Sequence, residues 1–586
     1  MRPSLSAFTI LIALFLAPSF VWAEDYSASL PLGGYFRDRT ITPVTFSAAT
    51  YGNPGRYKIS IQSGITSALI FDGFSLGPRE KKSVVLPVEV TPEASGLYLV
   101  VTNLLAPGRP EVFSKDLTTE LRPLYQNDRL VLCSGITMTG AENLPLTVPG
   151  RNVKFVTAQP DSGAFDNWYF LEVADMICVF NCNSEDWTPE RLLALSQWVE
   201  QGGNIVLSSW RSSRVAEALV PMAAGWDGES VPPDGSLDYS PGLYASYPLG
   251  LGKVVLSAHG IQSKENEKAF WEFVASLCAD CASPVSSIGS MSLEGLDAPA
   301  IMGLFPEVEI PPTTARDLML VAIIIFIAFL FGAAFLYSVK GAAKLWAVLV
   351  VFAVVGISLS LAIHNFIKRP GIFWRYRLFV ETGPDGKGSG ALFCSLSSSS
   401  EKSTAVIIPE GASAKIVDST KSAVIEDSPT TPSILRGVYV GIRKPTVIMI
   451  RFPLSSVSAE QLVTLKKPIY EMTEETQNQA GTILHRRFIS ATDDQVRIGL
   501  KGYARRDFTE MLSPPEGFDK AEWAFLKMGC RRCSATSAVA NLYWPVNENG
   551  EIKTDEITRI DWRRIEDAAA ILFVAPPSRL VPVSND

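Results

Sequence analysis

Two Cys-x-x-Cys pairs, Cys278-Ala279-Asp280-Cys281 and Cys530-Arg531-Arg532-Cys533, are the densest groupings of reactive side chains in this sequence. Four thiolates from two such pairs are the ligand set of a tetrahedral zinc site. About 250 residues separate the pairs, however. They read instead as structural disulfides or free thiols. A thioredoxin-type pair opens a helix, whose N-terminus lowers the thiol pKa, whereas Cys278 closes a helical pattern. Cys133 and Cys178 lie inside apolar runs and read as small core residues. Cys182, at a strand end, is the one thiol placed like a site residue. The only histidines are His259, His364 and His485, too scattered for a metal cluster. No phosphate-binding or dinucleotide motif is present. Gly73-Phe74-Ser75-Leu76-Gly77 spells a serine-hydrolase elbow, but that motif needs a strand–turn–helix setting. Here it falls between strands with no helix after it, and a plain turn is predicted. No residue is assigned a catalytic, cofactor-binding or metal role, and no cofactor is expected.

Behind those residues stands a chain of 586 residues, enough for three or four domains. Its 52 basic and 60 acidic residues leave a net charge of −8, unlike a basic nucleic-acid binder. The mean hydropathy of +0.18 comes from a few concentrated apolar runs. The first follows Arg2 and ends at Val21-Trp22-Ala23, the pattern of a signal peptide over 1–23 that places the remainder outside the cytoplasm. Residues 318–339 and 345–367 are two uncharged runs, each long enough to cross a bilayer, which takes about 20 apolar residues. The sequence thus predicts two transmembrane helices joined by a short cytoplasmic turn. Parity places both large portions on the periplasmic or extracellular side of a bacterial inner membrane. Lys368, Arg369, Arg375 and Arg377 argue against that orientation, because positive charge prefers the cytoplasm. The expected partners are the membrane and proteins in the membrane or periplasm, with no nucleic acid.

The elements that must hold these residues change character along the chain. Residues 24–118 show short alternating segments (Thr42–Ala48, Tyr57–Gln62, Ser83–Val90, Leu97–Val101), which predict an immunoglobulin-like β-sandwich. Residues 125–285 alternate apolar strands (Arg129–Cys133, Val153–Thr157, Met176–Phe180, Asn204–Ser208, Lys253–Ser257) with helices. One helix is signalled by Thr188 as N-cap, Pro189 in the first turn and Gly202-Gly203 as its stop. A second carries Phe270, Phe273, Val274 and Leu277. That alternation predicts a parallel sheet covered on both faces, a flavodoxin-like α/β domain. Residues 286–316 read as a linker.

Residues 370–586 return to a mainly-β pattern, with strands at Tyr376–Glu381, Ala391–Leu396, Ala405–Ile408, Val438–Ile442 and Thr446–Phe452. The stretch 395–400 and Thr430-Thr431-Pro432 read as loops, and 519–529 as a helix. The two-residue period predicts a core of Leu378, Val380, Leu392, Val406, Ile408, Val438, Val440, Val447 and Met449. In the last strand Ile448 and Ile450 offer an equally apolar opposite face.

Several motifs carry a resemblance. Leu32-Gly33-Gly34-Tyr35-Phe36-Arg37, Thr42-Pro43-Val44 and Gly77-Pro78-Arg79-Glu80 resemble the opening of uncharacterised bacterial membrane-anchored surface proteins with an immunoglobulin-like domain. In those proteins a class I glutamine amidotransferase-like domain follows. Thr188-Pro189-Glu190, Gly202-Gly203-Asn204 and Gly250-Leu251-Gly252-Lys253-Val254-Val255 are similar to that second domain. An active amidotransferase needs a cysteine on a sharp strand-to-helix turn, with His and Glu downstream. After Asn204–Ser208 this chain has Ser209-Trp210-Arg211, and two residues beyond His259 stands Ile261. The resemblance therefore implies an amidotransferase-like domain without catalysis, in a non-enzymatic membrane-anchored scaffold or sensor. The alternatives are an accessory subunit of a gliding-type ABC transporter, or an enzyme with an unrecognised site.

Overall fold

The structure is a computed structural model. It describes residues 25–280 except 38–39, 52–53, 64–66, 91–95, 126, 136–146, 149–150, 209–212, 222–243 and 258–263. Scattered positions between 323 and 346 follow, then 372–454 except 383–386, 399–400, 409–410, 417–422, 429–430 and 441–445. Beyond these it describes 476–478, 481–492, 495–498, 501–504, 536–543 and 557–558.

The N-terminal part forms β1 (Asp25–Ser29), β2 (Tyr35–Phe36), β3 (Thr40–Ala49), β4 (Gly55–Ser63), β5 (Ser67–Leu76), β6 (Lys81–Val90), β7 (Leu97–Asn103), β8 (Glu111–Asp116) and β9 (Arg122–Pro123). β1, β3 and β6 make one sheet, and β5, β4, β7 and β8 run side by side in another. Alternating residues from both sheets meet in one core: Val44 and Phe46, Ile59 and Ile61, Leu69 and Phe71, Leu86 and Val88, Leu97 and Leu99. Gly73–Leu76 belongs to β5, so the predicted turn there is corrected. A strand carries the hydrolase-like pattern, and the next element, β6, is again a strand.

The middle part supplies β10 (Asp128–Ser134), β11 (Thr147–Val148), β12 (Arg151–Thr157), β13 (Met176–Val179), β14 (Asn204–Ser208), β15 (Tyr244–Leu249) and β16 (Gly252–Ser257). Their order is β11-β12-β10-β13-β14-β16-β15. The five inner strands are parallel, and β11 and β15 close the edges antiparallel. Leu132, Ile177, Leu207 and Leu256 point to one face, where Leu195 and Trp198 of the Pro189–Glu200 helix cover them. Val131, Met176, Val206 and Val255 point to the other, under Phe270, Trp271 and Val274 of the Lys264–Asp280 helix.

The C-terminal part adds β17 (Ile372–Thr382), β18 (Gly388–Ser398), β19 (Lys402–Ile407), β20 (Ser413–Ile416), β21 (Ala423–Ser428), β22 (Thr431–Val440) and β23 (Thr446–Leu454). It ends with β24 (Thr476–Asn478), β25 (Gly481–Thr492), β26 (Gln495–Ile498), β27 (Lys501–Ala504), β28 (Thr536–Tyr543) and β29 (Ile557–Thr558). One sheet runs β20-β23-β18-β17-β28-β25-β26-β27, with β24 on β25. The other runs β29-β19-β22-β21 and continues without a break into β5-β4-β7-β8 of the N-terminal part. Thr431 and Pro432 begin β22, and β18 extends to Ser398, so strand takes the place of part of each predicted loop; 399–400 and 430 lie outside the described residues. Val406, Ile408, Val438, Val440, Val447 and Met449 are buried, as are Ile448 and Ile450. β23 lies between β20 and β18, and its apolar residues are buried on both faces. The side chains of Leu378, Val380 and Leu392, and the predicted helix at 519–529, lie outside the described residues.

The expected fold class is corrected on two counts. The described residues are mostly strand, with three helices described along their length, Pro189–Glu200, Arg214–Leu219 and Lys264–Asp280, and scattered helical positions between 323 and 346. Where a flavodoxin-like α/β layout has a helical crossover, the path from β12 to β13 makes only the 3₁₀ turns Pro160–Ser162 and Trp168–Leu171. Secondly, among the described residues no helix is long and apolar enough to cross a membrane. Only scattered positions of the runs 318–339 and 345–367 are described. The predicted transmembrane pair is therefore withdrawn. The multi-pass inner-membrane placement rested on the parity of those two spans and is withdrawn with it. Residues 1–23, where the signal peptide is predicted, lie outside the described residues.

Candidate functional site

The thiol that the sequence singles out, Cys182, follows β13 at the carboxyl edge of the parallel strands. It is buried, and its Sγ donates to the carbonyls of Val179 (3.5 Å) and Ser208 (3.3 Å). Burial pushes its pKa up to about 12, against a smaller opposing effect of the Ser213 hydroxyl. The thiolate is the reactive form of cysteine, so this group is a poor nucleophile near neutral pH. Cys133 and Cys178 sit opposite each other on β10 and β13, and Cys278 joins them in the same cluster. Burial first, then the neighbouring Cys133, pushes the Cys178 thiol well up. The five described cysteines, these four and Cys394, are free thiols. His259, Cys281, Cys530 and Cys533 lie outside the described residues. His485 is placed only by its register on β25, opposite Asn541.

The best-built polar arrangement is one the sequence reading missed. It gathers on the segment Trp168–Asp175, which opens with a 3₁₀ turn and leads into β13. Asp175 is fully buried. Its Oδ2 accepts from Arg37 Nη2 at 2.5 Å and from the Leu130 backbone N–H at 2.7 Å. Arg129 Nε stands 3.8 Å from its other oxygen. Arg37 also donates to the carbonyls of Asp128 (3.1 Å) and Val173 (3.5 Å). One carboxylate thus joins the N-terminal sandwich to the central sheet. Three residues earlier, the buried Glu172 pairs with Arg451 of β23. The Arg451 guanidinium lies 5.3 Å from the centre of the Trp168 ring. The Trp168 indole N–H in turn donates to the Gly411 carbonyl at 2.8 Å. Close by, Lys387 Nζ meets Glu200 Oε1 at 2.7 Å, and Ser389 Oγ lies 3.2 Å from Gln201 Oε1.

The short segment Trp168–Asp175 therefore touches all three parts of the chain. Buried charges persist only when paired, and each carboxylate here has its arginine. Among the described residues no group of His, Cys, Asp and Glu is placed to hold a metal ion. The arrangement positions and locks sheets against one another. The sequence carried a faint signal for it: Arg451 is a lone charge inside the apolar strand Thr446–Leu454, and Asp175 directly precedes the apolar β13.

No protein-family model matches the chain, and no curated protein matches it in sequence. The glycines behind the resemblance have local explanations. Gly34 has φ +78°, and a Cβ there would stand 1.8 Å from the Glu120 carbonyl oxygen. A Cβ on Gly252 would stand 2.1 Å from the Gly203 carbonyl oxygen. Both are close backbone approaches that only glycine permits.

Proposed function

We propose that the chain is a non-enzymatic scaffold or sensor, a protein that acts by holding interaction surfaces in a fixed relation. The observation that carries this reading is the Trp168–Asp175 junction. Its buried charges are spent on joining three parts of one chain. The state of Cys182 supports the same reading, since a thiol with its pKa at about 12 is held out of nucleophilic chemistry. The partners are proteins, recognised at outward sheet edges and loops. A complementation assay in the source cell tests this. Cys182→Ala and His259→Ala, made together, are expected to leave function intact. Glu172→Arg is expected to abolish it, and adding Arg451→Glu to restore it in part. Loss of function in a folded Cys182→Ala/His259→Ala protein would overturn the proposal in favour of catalysis.

A further inference from the structure

β21 lies beside β5 in parallel register, from Ala423 opposite Ser67 to Asp427 opposite Phe71. Parallel neighbours cannot be joined by a tight turn. Here the intervening chain runs from residue 77 to 422, so no local connection enforces the pairing. Ile425 packs on the N-terminal core cluster, whose other members all come from residues 26–121. The Glu172–Arg451 pair, the Trp168–Gly411 hydrogen bond and the Lys387–Glu200 pair also bridge residues before 281 and after 371. The stretch 281–371 tethers the two sides over 91 residues. A tether of that length supplies an effective concentration of no more than about millimolar order. The two faces must hold each other by their own complementarity.

We infer that the chain before residue 281 is a receptor surface for the chain after residue 371, and that the two stay bound without their covalent link. The receptor offers an open strand edge on β5 and a socket of one carboxylate and one indole ring, Glu172 and Trp168. The occupant offers an extended strand, β21, and an arginine, Arg451. This is recognition by strand addition, with main-chain hydrogen bonds for affinity and a seated side chain for specificity. It does not depend on the scaffold reading.

The test uses the full chain with a protease site inserted between residues 281 and 371, cut after folding. The two fragments are expected to elute as one species with their summed mass. Separation of the fragments would overturn the interface and with it the continuity that the scaffold reading draws on, whereas failure of the scaffold reading in its own assay would leave a complex of the two fragments standing. Arg451→Glu is expected to weaken the cut complex by roughly 30-fold or more, and adding Glu172→Arg to recover much of that loss. Lys387→Glu changes a side chain that is 34% exposed. It serves where circular dichroism shows that Arg451→Glu has not folded, and a several-fold weakening is expected. Unchanged affinity in every folded variant would contradict the assignment of these contacts.

Discussion

A carboxylate taken out of water needs its compensation built around it, and at Asp175 that is two arginines and one backbone N–H. Removing one member of such a buried pair typically costs about 3–5 kcal/mol, because its partner is left charged and unpaired. Asp175→Ala should lower the unfolding free energy in urea at pH 7 by that order, and a loss below about 1 kcal/mol would show that water compensates Arg37. Cys182 gives a prediction with the opposite pH sense to a salt-bridged acid. Its folded pKa is raised from 9.0 to about 12, so the unfolded chain loses this proton first. The stabilising contribution is complete below about pH 9 and is lost as pH rises towards 12. Cys182→Ala should therefore flatten the decline of stability over that window, followed by thermal melting. The strand-end position of Cys182 was legible from the apolar run before it. The Arg37–Asp175 pair was not, because its members stand 138 residues apart and nothing local links them.

At the scale of elements, two-residue alternation carried most of the information. Thr42–Ala48, Tyr57–Gln62 and Thr446–Phe452 fall inside observed strands. The Thr188 cap sits where its spacing to Arg191 requires, accepting from the Arg191 backbone N–H. β5 was missed because Gly73 interrupts it and its pattern reads as a turn; in place, β4 on one side and β21 on the other hold it extended. Tertiary pairing overrode local preference there. Val440 is fully buried in β22, and an unpaired carboxylate at such a position costs several kcal/mol, on the order of a domain's whole margin. Val440→Asp should abolish folding of the C-terminal part, read as loss of its β signal in circular dichroism. A cooperative unfolding transition in that variant would mean that β22 tolerates a register slip.

At the scale of the molecule, the two ends of the chain build one eight-stranded sheet, and the junction on Trp168–Asp175 fastens the central sheet to both. The sequence could not show this, because a parallel pairing between β5 and β21 leaves no turn signature and no spacing to read. The apolar runs at 318–339 and 345–367 led to an expectation of separate domains on either side of a transmembrane hairpin. The packing instead brings strands from the N-terminal side of those runs against strands from their C-terminal side. A scaffold reading depends on that continuity, since independent beads on a tether would fix no surface relative to another. Amide hydrogen exchange on the intact chain, with and without Ile425→Pro, addresses it most directly. In the unsubstituted chain the amides of Ser67–Leu76 and Ala423–Ser428 should be slow to exchange, and the proline should release both segments together, because it takes a backbone donor out of β21, a strand with neighbours on both sides. Rapid exchange of Ala423–Ser428 in the unsubstituted chain, with Ser67–Leu76 unaffected by the substitution, would contradict a scaffold built from both ends of the sequence.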